Sequence, residues 1–398
     1  EHILSLDYKN PKTHQVEVLI EDDDFLYPTL NDPYFGEKIA NRKEFASFKY
    51  DGKIDSVEKM SNMICANPEF SLMPHQLFVK NFLSKNTPYN SILLYHGLGS
   101  GKTCSAIGIA EEMRATMKQT GSSQRIMMIA STNVQDNFRL QLFDERKLKR
   151  TMSNGAWTIE SCIGNSLIKE INPTNDTTIK ADKIAAQANT IINNSYSFMG
   201  YMQLANYIQN KILVTDSKNG VYTDAQRREI EIANIRKHFN NRLLIIDEVH
   251  NIPGKTVAPM LLMIAKYAEG LRMVLMSATP MYNSVDEIIY LTNLMDINDG
   301  KEPITVGQVF DPRTHEMTAS GKELLKSRLN GYISYVRGEN PYTFPFRLYP
   351  DVFEPESTFA LQPYPTQTIT GRANVPSMQG MRNRIYVTRI GDGQKRVY

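Results

Sequence analysis

Cysteine is scarce in this sequence: Cys65, Cys104 and Cys162 are the only three in 398 residues. Their number is odd, they stand far apart, and no CxxC pair occurs. Neither a disulfide framework nor a zinc site is therefore expected, and a reducing interior such as cytosol is the expected setting. An excess of one charge is also missing, since 45 basic against 43 acidic side chains leave +2. That balance excludes a polyanion-coating protein, although touching a few phosphates needs no global excess. No apolar run reaches the length of a membrane span. The longest, "VAPMLLMIA" from Val257, is about half of one and soon meets Lys266, so no membrane partner is expected. No internal repeat is evident. Residue 1 is glutamate rather than methionine, which leaves open a leader upstream.

What is present is an alternation of buried runs and helical patterns. "SILLY" (91–95), "RIMMIA" (125–130), "RLLIID" (242–247) and "RMVLMSA" (272–278) are short, apolar throughout and β-prone, as strands covered on both faces must be. Between them, Ala106, Ala110, Met113 and Met117 share one helical face, and "VQDNFRLQLF" reads as another helix. A helix is also expected from Pro74, and one over "TDAQRREIEIANIRKHF" capped by Thr223 or Asp224. This alternation predicts an α/β fold, a doubly wound parallel sheet with its ligand at the carboxyl ends of the strands. The polar stretch between Asp144 and Arg242 reads as elaboration of the same domain. Residues 1–70, with the acidic knot "EDDD" at 21–24, form an N-terminal accessory segment. Residues 71–300 form the main domain, and the proline-punctuated 301–398 a C-terminal connector.

Three segments carry chemistry. In "HGLGSGKT" the glycines let consecutive backbone N–H groups turn inward around phosphate, and the following helix aims its positive end there. Gly97, Leu98, Gly99, Ser100, Gly101, Lys102 and Thr103 are thus the candidate nucleotide cradle. Lys102 would reach the β/γ oxygens, and the Thr103 hydroxyl would bind Mg²⁺. The strict G-x-x-x-x-G-K-[ST] pattern fails at its first glycine, where His96 stands. In "LLIIDEVH", Asp247 ends a strand where it can hold Mg²⁺, and Glu248 is placed to deprotonate an attacking water. In "VLMSATPMYNS", Ser277 and Thr279 close another strand with small hydroxyls. Basic "RKLKR" (146–150) reads as a solvated helix end rather than a nucleic-acid contact. Trp157, the tyrosines of 196–207 and Cys104 read as packing.

In this order, "HGLGSGKT", "DEVH" and "SATP" resemble the Walker A, Walker B and third motifs of superfamily-two DExH helicases and translocases. The resemblance implies a RecA-like first motor lobe that uses ATP and Mg²⁺ on DNA or RNA. "MPHQ" is similar to the segment in which the family reads adenine, which implies that role for Gln76. "IASTNVQDNF" lies where the family contacts the nucleic-acid backbone, implying Ser131 and Thr132. His250, Ser277 and Thr279 match positions that couple nucleotide to nucleic acid. "DEVHNI", "SATPMYNS" and "GYISYVRGENPYTFPFRLYP" further resemble helicase-like ATPases of large cytoplasmic DNA viruses. That likeness implies partners in viral transcription machinery, and location in the host cytoplasm or the virion. The family's second lobe carries Q-x-x-G-R-x-x-R, and the near miss "MQGMRNR" (378–384) has the wrong spacing. The chain is therefore expected to be the first lobe, connector and start of a second lobe. A nucleotide-gated transcription scaffold with weak or vestigial ATPase is the alternative, and intact Lys102, Thr103, Asp247 and Glu248 disfavour it.

Overall fold

The computed structural model describes residues 8–9, 16–17, 27–49, 56–66, 71–97, 99–152, 154–214, 222–281, 284–314, 316–336, 354–358, 367, 387 and 391–395. They fall in two units, Glu1–Gly338 and Glu339–Tyr398. In the first, β1 (Tyr8–Lys9), β2 (Val16–Glu17), α1 (Phe35–Asn41), α2 (Lys43–Ala46), α3 (Val57–Ala66) and α4 (Pro74–Phe82) come first. There follow β3 (Ser91–His96), α5 (Lys102–Gln119), β4 (Ile126–Ile129), α6 (Thr132–Leu142), and a hairpin of β5 (Lys149–Arg150) and β6 (Trp157–Thr158). Then come α7 (Ser166–Ile171), α8 (Ala181–Ser195), β7 (Tyr196–Met199), α9 (Tyr201–Lys211) and α10 (Asp224–Phe239). The unit closes with β8 (Leu243–Ile246), α11 (Val257–Tyr267), β9 (Arg272–Met276), α12 (Asp286–Asn298), α13 (Val306–Val309), α14 (Ala319–Leu329) and β10 (Ile333–Val336). In the second unit the described residues include a 3₁₀ turn at Pro355–Ser357 and a helical turn at Asp392–Lys395. The "EDDD" knot, Leu98, "MQGMRNR" and most of the connector lie outside the described residues.

Six strands form one sheet in the order β10-β3-β9-β8-β4-β7, every neighbouring pair parallel. This is the RecA-like doubly wound layout that the alternation of runs predicts. Successive side chains feed opposite faces, as a pleated strand requires. Ile92, Leu94, Met128, Ile245 and Val274 enter the core shared with α4, α5, α6, α7 and α8. Leu93, Met127, Ile129, Leu244, Ile246 and Leu275 enter the core shared with α9, α10, α11 and α12. Burial on both sides explains why these strands carry almost no polar residue. The expected face of α5 is buried at Ala106, Ala110, Met113 and Met117. Thr223 caps α10 by accepting from the Gln226 N–H at 3.3 Å.

Two segments join the lobe from beyond the main-domain limits of 71 and 300. Strand β10 pairs with β3, Val336 opposite His96, so the sheet's edge lies past residue 300. From the accessory segment, Phe35, Ile39 and Phe45 pack into the core on the α5 side, with Phe35 edge-on to Phe82. The loop between α4 and β3 is clamped by buried Arg272. Its guanidinium donates to the carbonyls of Leu83, Ser84, Thr87 and Tyr89 at 2.6–3.1 Å, which satisfies backbone acceptors that would otherwise be buried unpaired. Burial lowers its pKa to about 10.

The cysteine expectation is overturned. Cys104, in the first turn of α5, forms a disulfide with Cys162, 58 residues on. An odd total leaves one cysteine over but does not forbid a pair. Separation along the chain is irrelevant once the segment after β6 folds back onto α5. Closing a loop of this length stabilises by about 2–4 kcal/mol, mainly by restricting the unfolded chain. Added reductant is therefore expected to lower the melting temperature of the wild type but not of Cys162→Ser. Identical wild-type melting with and without reductant would contradict the link.

Candidate nucleotide and coupling site

The parallel register brings the carboxyl ends of the strands to one edge. Just beyond them, the Gly97 N–H donates to Val336, Ser277 to Leu94, Asp247 to Ile129 and Ala130 to Met199. The segments that follow β3, β4, β8 and β9 therefore leave the sheet at the same side. The glycine loop turns there through Gly99 and Gly101, both at φ +77°, a region in which a Cβ is strained. Ser100 closes the turn by donating from Oγ to the Gly97 carbonyl at 2.7 Å. Lys102 and Thr103, both half-buried, then begin α5.

The loop is held from α4. His75 Nε2 donates to the Ser100 carbonyl at 2.9 Å, since a carbonyl can only accept. Gln76 donates from its amide to the Gly101 carbonyl at 3.1 Å and accepts the Met73 N–H at 2.8 Å. Gln76 is 4% exposed, so its amide is spent on the loop and on its own helix start. His96 is fully buried, with Nε2 bonded to Ser334 Oγ at 2.9 Å and Nδ1 without a partner. Burial, helped by nearby His75 and Lys102, lowers its pKa to about 4, so the ring is neutral.

Asp247 follows β8 and is 8% exposed. Burial raises its pKa, the adjoining Glu248 raises it further, and the Lys102 ammonium opposes both. The glycine-loop lysine thus acts electrostatically on the strand-end acid. Glu248 sits at φ +43°, left-handed and rare for a residue with a Cβ. His250 Nδ1 lies 3.3 Å from the Glu248 carboxylate and 3.0 Å from Ser277 Oγ. Ser277 Oγ in turn accepts the Thr279 N–H at 3.0 Å, while the Thr279 side chain is exposed. Glu248, His250, Ser277 and Thr279 thus form one connected chain. Ser131 stands at the N-cap position of α6, its side chain making no cap bond, and Thr132 opens the helix, both exposed at the neighbouring β4 end.

One residue escaped the sequence reading. Tyr201, first in α9, donates its hydroxyl to the Asp247 carbonyl, with the Glu248 carbonyl 3.4 Å away. Burial and the two carboxylates raise its pKa, so it remains a donor. Nothing in the sequence separates it from the structural tyrosines of 196–207.

The donor set fits Mg²⁺ and a triphosphate. Thr103 and Asp247 offer hard oxygen ligands, and the loop offers backbone N–H groups beside an ammonium.

Residues 75–336 match the SNF2-related domain. A chain of Acanthamoeba polyphaga mimivirus, provisionally named ATP-dependent RNA helicase L377, is 27% identical over 81% of this chain and 28% of its own length. A second from that virus, provisionally named R563 in the same way, is 27% identical over 80% of this chain and 49% of its own. The early transcription factor 70 kDa subunit of Melanoplus sanguinipes entomopoxvirus is 24% identical over 70% and 33%. The chain therefore spans between about a quarter and a half of the length of these relatives. Among solved structures, the Sulfolobus solfataricus SWI2/SNF2 ATPase core in complex with dsDNA aligns at 16% identity and TM-score 0.37, over 69% of this chain and 46% of that one.

The loop geometry predicts unequal costs for two alanines. At Gly121, φ +65° with nothing near a built Cβ, Gly121→Ala pays only the backbone strain, about 1–2 kcal/mol. At Gly101 the added Cβ would also stand 2.4 Å from the Gln76 amide nitrogen. Gly101→Ala is expected to lose more stability in denaturant titration. Equal losses would mean that Gln76 is not held against the loop.

Proposed function

This chain belongs to the SNF2-related domain family, and from that premise we propose that it is the first lobe of an ATP-hydrolysing motor that moves along DNA or RNA in the transcription of a large DNA virus. It is a superfamily-two helicase-like motor domain, and that family supports a nucleic-acid-stimulated ATPase in general. The finer reading is supported most by one observation: the bonded chain from Glu248 through His250 to Ser277, beside Lys102 and Asp247.

In this reading Lys102 and the backbone of Gly97–Gly101 bind the β- and γ-phosphates. Thr103 and Asp247 would hold Mg²⁺, which supplies charge neutralisation at the transferring phosphoryl group. Glu248 orients a water and takes its proton as the oxygen bonds to the γ-phosphorus and the bridge to ADP breaks. Tyr201 keeps the Asp247–Glu248 peptide in place, so the left-handed turn aims the Glu248 carboxylate. His250 passes the state of Glu248 to Ser277 and the Thr279 segment. Ser131 and Thr132 present hydroxyls and the start of α6 to the nucleic-acid backbone. Gln76 acts first as a brace on Gly101, and an adenine contact would require it to release that carbonyl.

Two substitutions in the full-length protein test the assignment. Glu248→Gln is expected to retain ATP binding and to lose nucleic-acid-stimulated phosphate release by orders of magnitude. Unchanged turnover would sink the role given to Glu248 and favour the scaffold alternative. Tyr201→Phe removes one hydrogen bond, worth about 1 kcal/mol, and should lower kcat about fivefold with the KM for ATP unchanged. A changed KM with constant kcat would instead assign Tyr201 to nucleotide binding.

A further inference from the structure

Among the described residues, the segment between α6 and α8 adds no strand to the parallel sheet. It builds instead a groove of 640 Å³ on the β5–β6 hairpin, between the turn at Glu145–Lys147 and the start of α7. Lys147, Lys149, Arg150 and Lys169 line it, against a single carboxylate, Glu160, 3.3 Å from Lys149. In a chain whose charges nearly cancel, this is a marked local excess. The groove's cations are exposed, whereas nearby ion pairs are turned elsewhere. Arg146 is held by Asp144 at 2.8 Å, and Glu170 is engaged by Arg114 and Lys118 of α5.

Arg150 is preorganised. Its guanidinium lies 4.6 Å from the Trp157 ring centroid and donates to the Thr177 carbonyl at 2.9 Å, leaving other N–H groups of its fork available. The Trp157 indole is itself fixed by donating to the Ile179 carbonyl at 2.9 Å. The segment is also tied to the motor. Cys162 is bonded to Cys104, next to Thr103, and Glu170 bridges to the middle of α5. Cations spread over three elements, on exposed stems with no enclosed donor cluster, suit a run of phosphates better than one small anion. They also outnumber what a solvated helix end needs, which is how "RKLKR" reads in sequence.

We propose that this groove is a second nucleic-acid contact of the lobe, binding the phosphate backbone beside α5 and away from Ser131 and Thr132. It rests on the reading that the protein binds nucleic acid at all. The test measures fluorescence anisotropy of labelled single-stranded DNA, duplex DNA and RNA with the full-length protein across a salt series, without nucleotide. The charge-reversed double variant Lys147→Glu with Lys169→Glu changes two side chains that form no ion pair among the described contacts. The control, Lys322→Glu with Lys326→Glu on α14, carries the same change of net charge. The groove variant is expected to bind at least tenfold more weakly at low salt. Its log–log salt slope should be shallower by about 2, roughly 0.9 per duplex phosphate lost. The control should retain most of its affinity. If wild type binds but the groove variant matches it, or the control loses as much, the groove assignment falls and the motor reading stands. If wild type binds none of the three probes, both fall together.

Discussion

The site depends on keeping one charge at the end of β8. Asp247 is almost enclosed, and both its burial and the neighbouring Glu248 carboxyl disfavour ionisation. Only Lys102 and His250, with a backbone hydrogen bond, pull the other way. An ionised acid in such surroundings is a standing demand for positive charge, because desolvation makes an uncompensated carboxylate costly. A metal bound with a triphosphate would relieve that demand, whereas a triphosphate alone would aggravate it. In the proposed reading, metal and triphosphate would therefore bind in a coupled way.

Holding that carboxylate requires a rigid frame, and the frame is assembled from contacts remote in sequence. Strands β3 and β8 do not touch; β9 lies between them and sets their relative height through both registers. The first residue of β9 is Arg272, whose guanidinium gathers the loop carbonyls from Leu83 to Tyr89. That clamp fixes where α4 ends relative to where β3 begins. Gly108 of α5 lies against Lys80 of α4 and Leu72 just before it, 3.7 and 3.3 Å from where its Cβ would stand. His75 and Gln76 consequently reach the Ser100 and Gly101 carbonyls. A buried cation far from the phosphate cradle thus helps position it.

Central strands were readable because burial on both faces leaves short apolar runs set between helical patterns. β3, β4, β8 and β9 all announce themselves in this way. The edge strands do not: β7 mixes tyrosine, serine and phenylalanine, and β10 exposes Ile333 and Tyr335. Only pairing with a neighbour makes them strands, and pairing is not written locally. The glycine loop and "DEVH" were legible because chemistry fixes their residue types and spacing. Tyr201 was not, since one hydroxyl on a backbone carbonyl imposes no pattern on the sequence. The cysteine pair failed for the same reason: counting thiols says nothing about which two a fold brings together. Phe35, Ile39 and Phe45 were missed because the helices carrying them are too short to show a period.

Helix α5 is gripped along its length. Gly101 starts it under the Gln76 amide, and Cys104 is bonded to Cys162. One turn or more further on, Tyr196 of β7 donates to Glu111 at 2.5 Å, and Lys80 of α4 faces Glu112 at 3.3 Å. Arg114 and Lys118 then share Glu170 of α7. A close-packed interior does not stretch; it moves between discrete arrangements of intact pieces. In the proposed reading, a shift that nucleotide imposes on the first turn of α5 would therefore be carried as a body into α4, α7 and β7. The alternative, breaking these contacts one by one, would expose paired charges and a covalent link to strain at several points at once. In that reading the glycine loop would be the short arm of a lever, with α7, beside the basic groove, on its long arm.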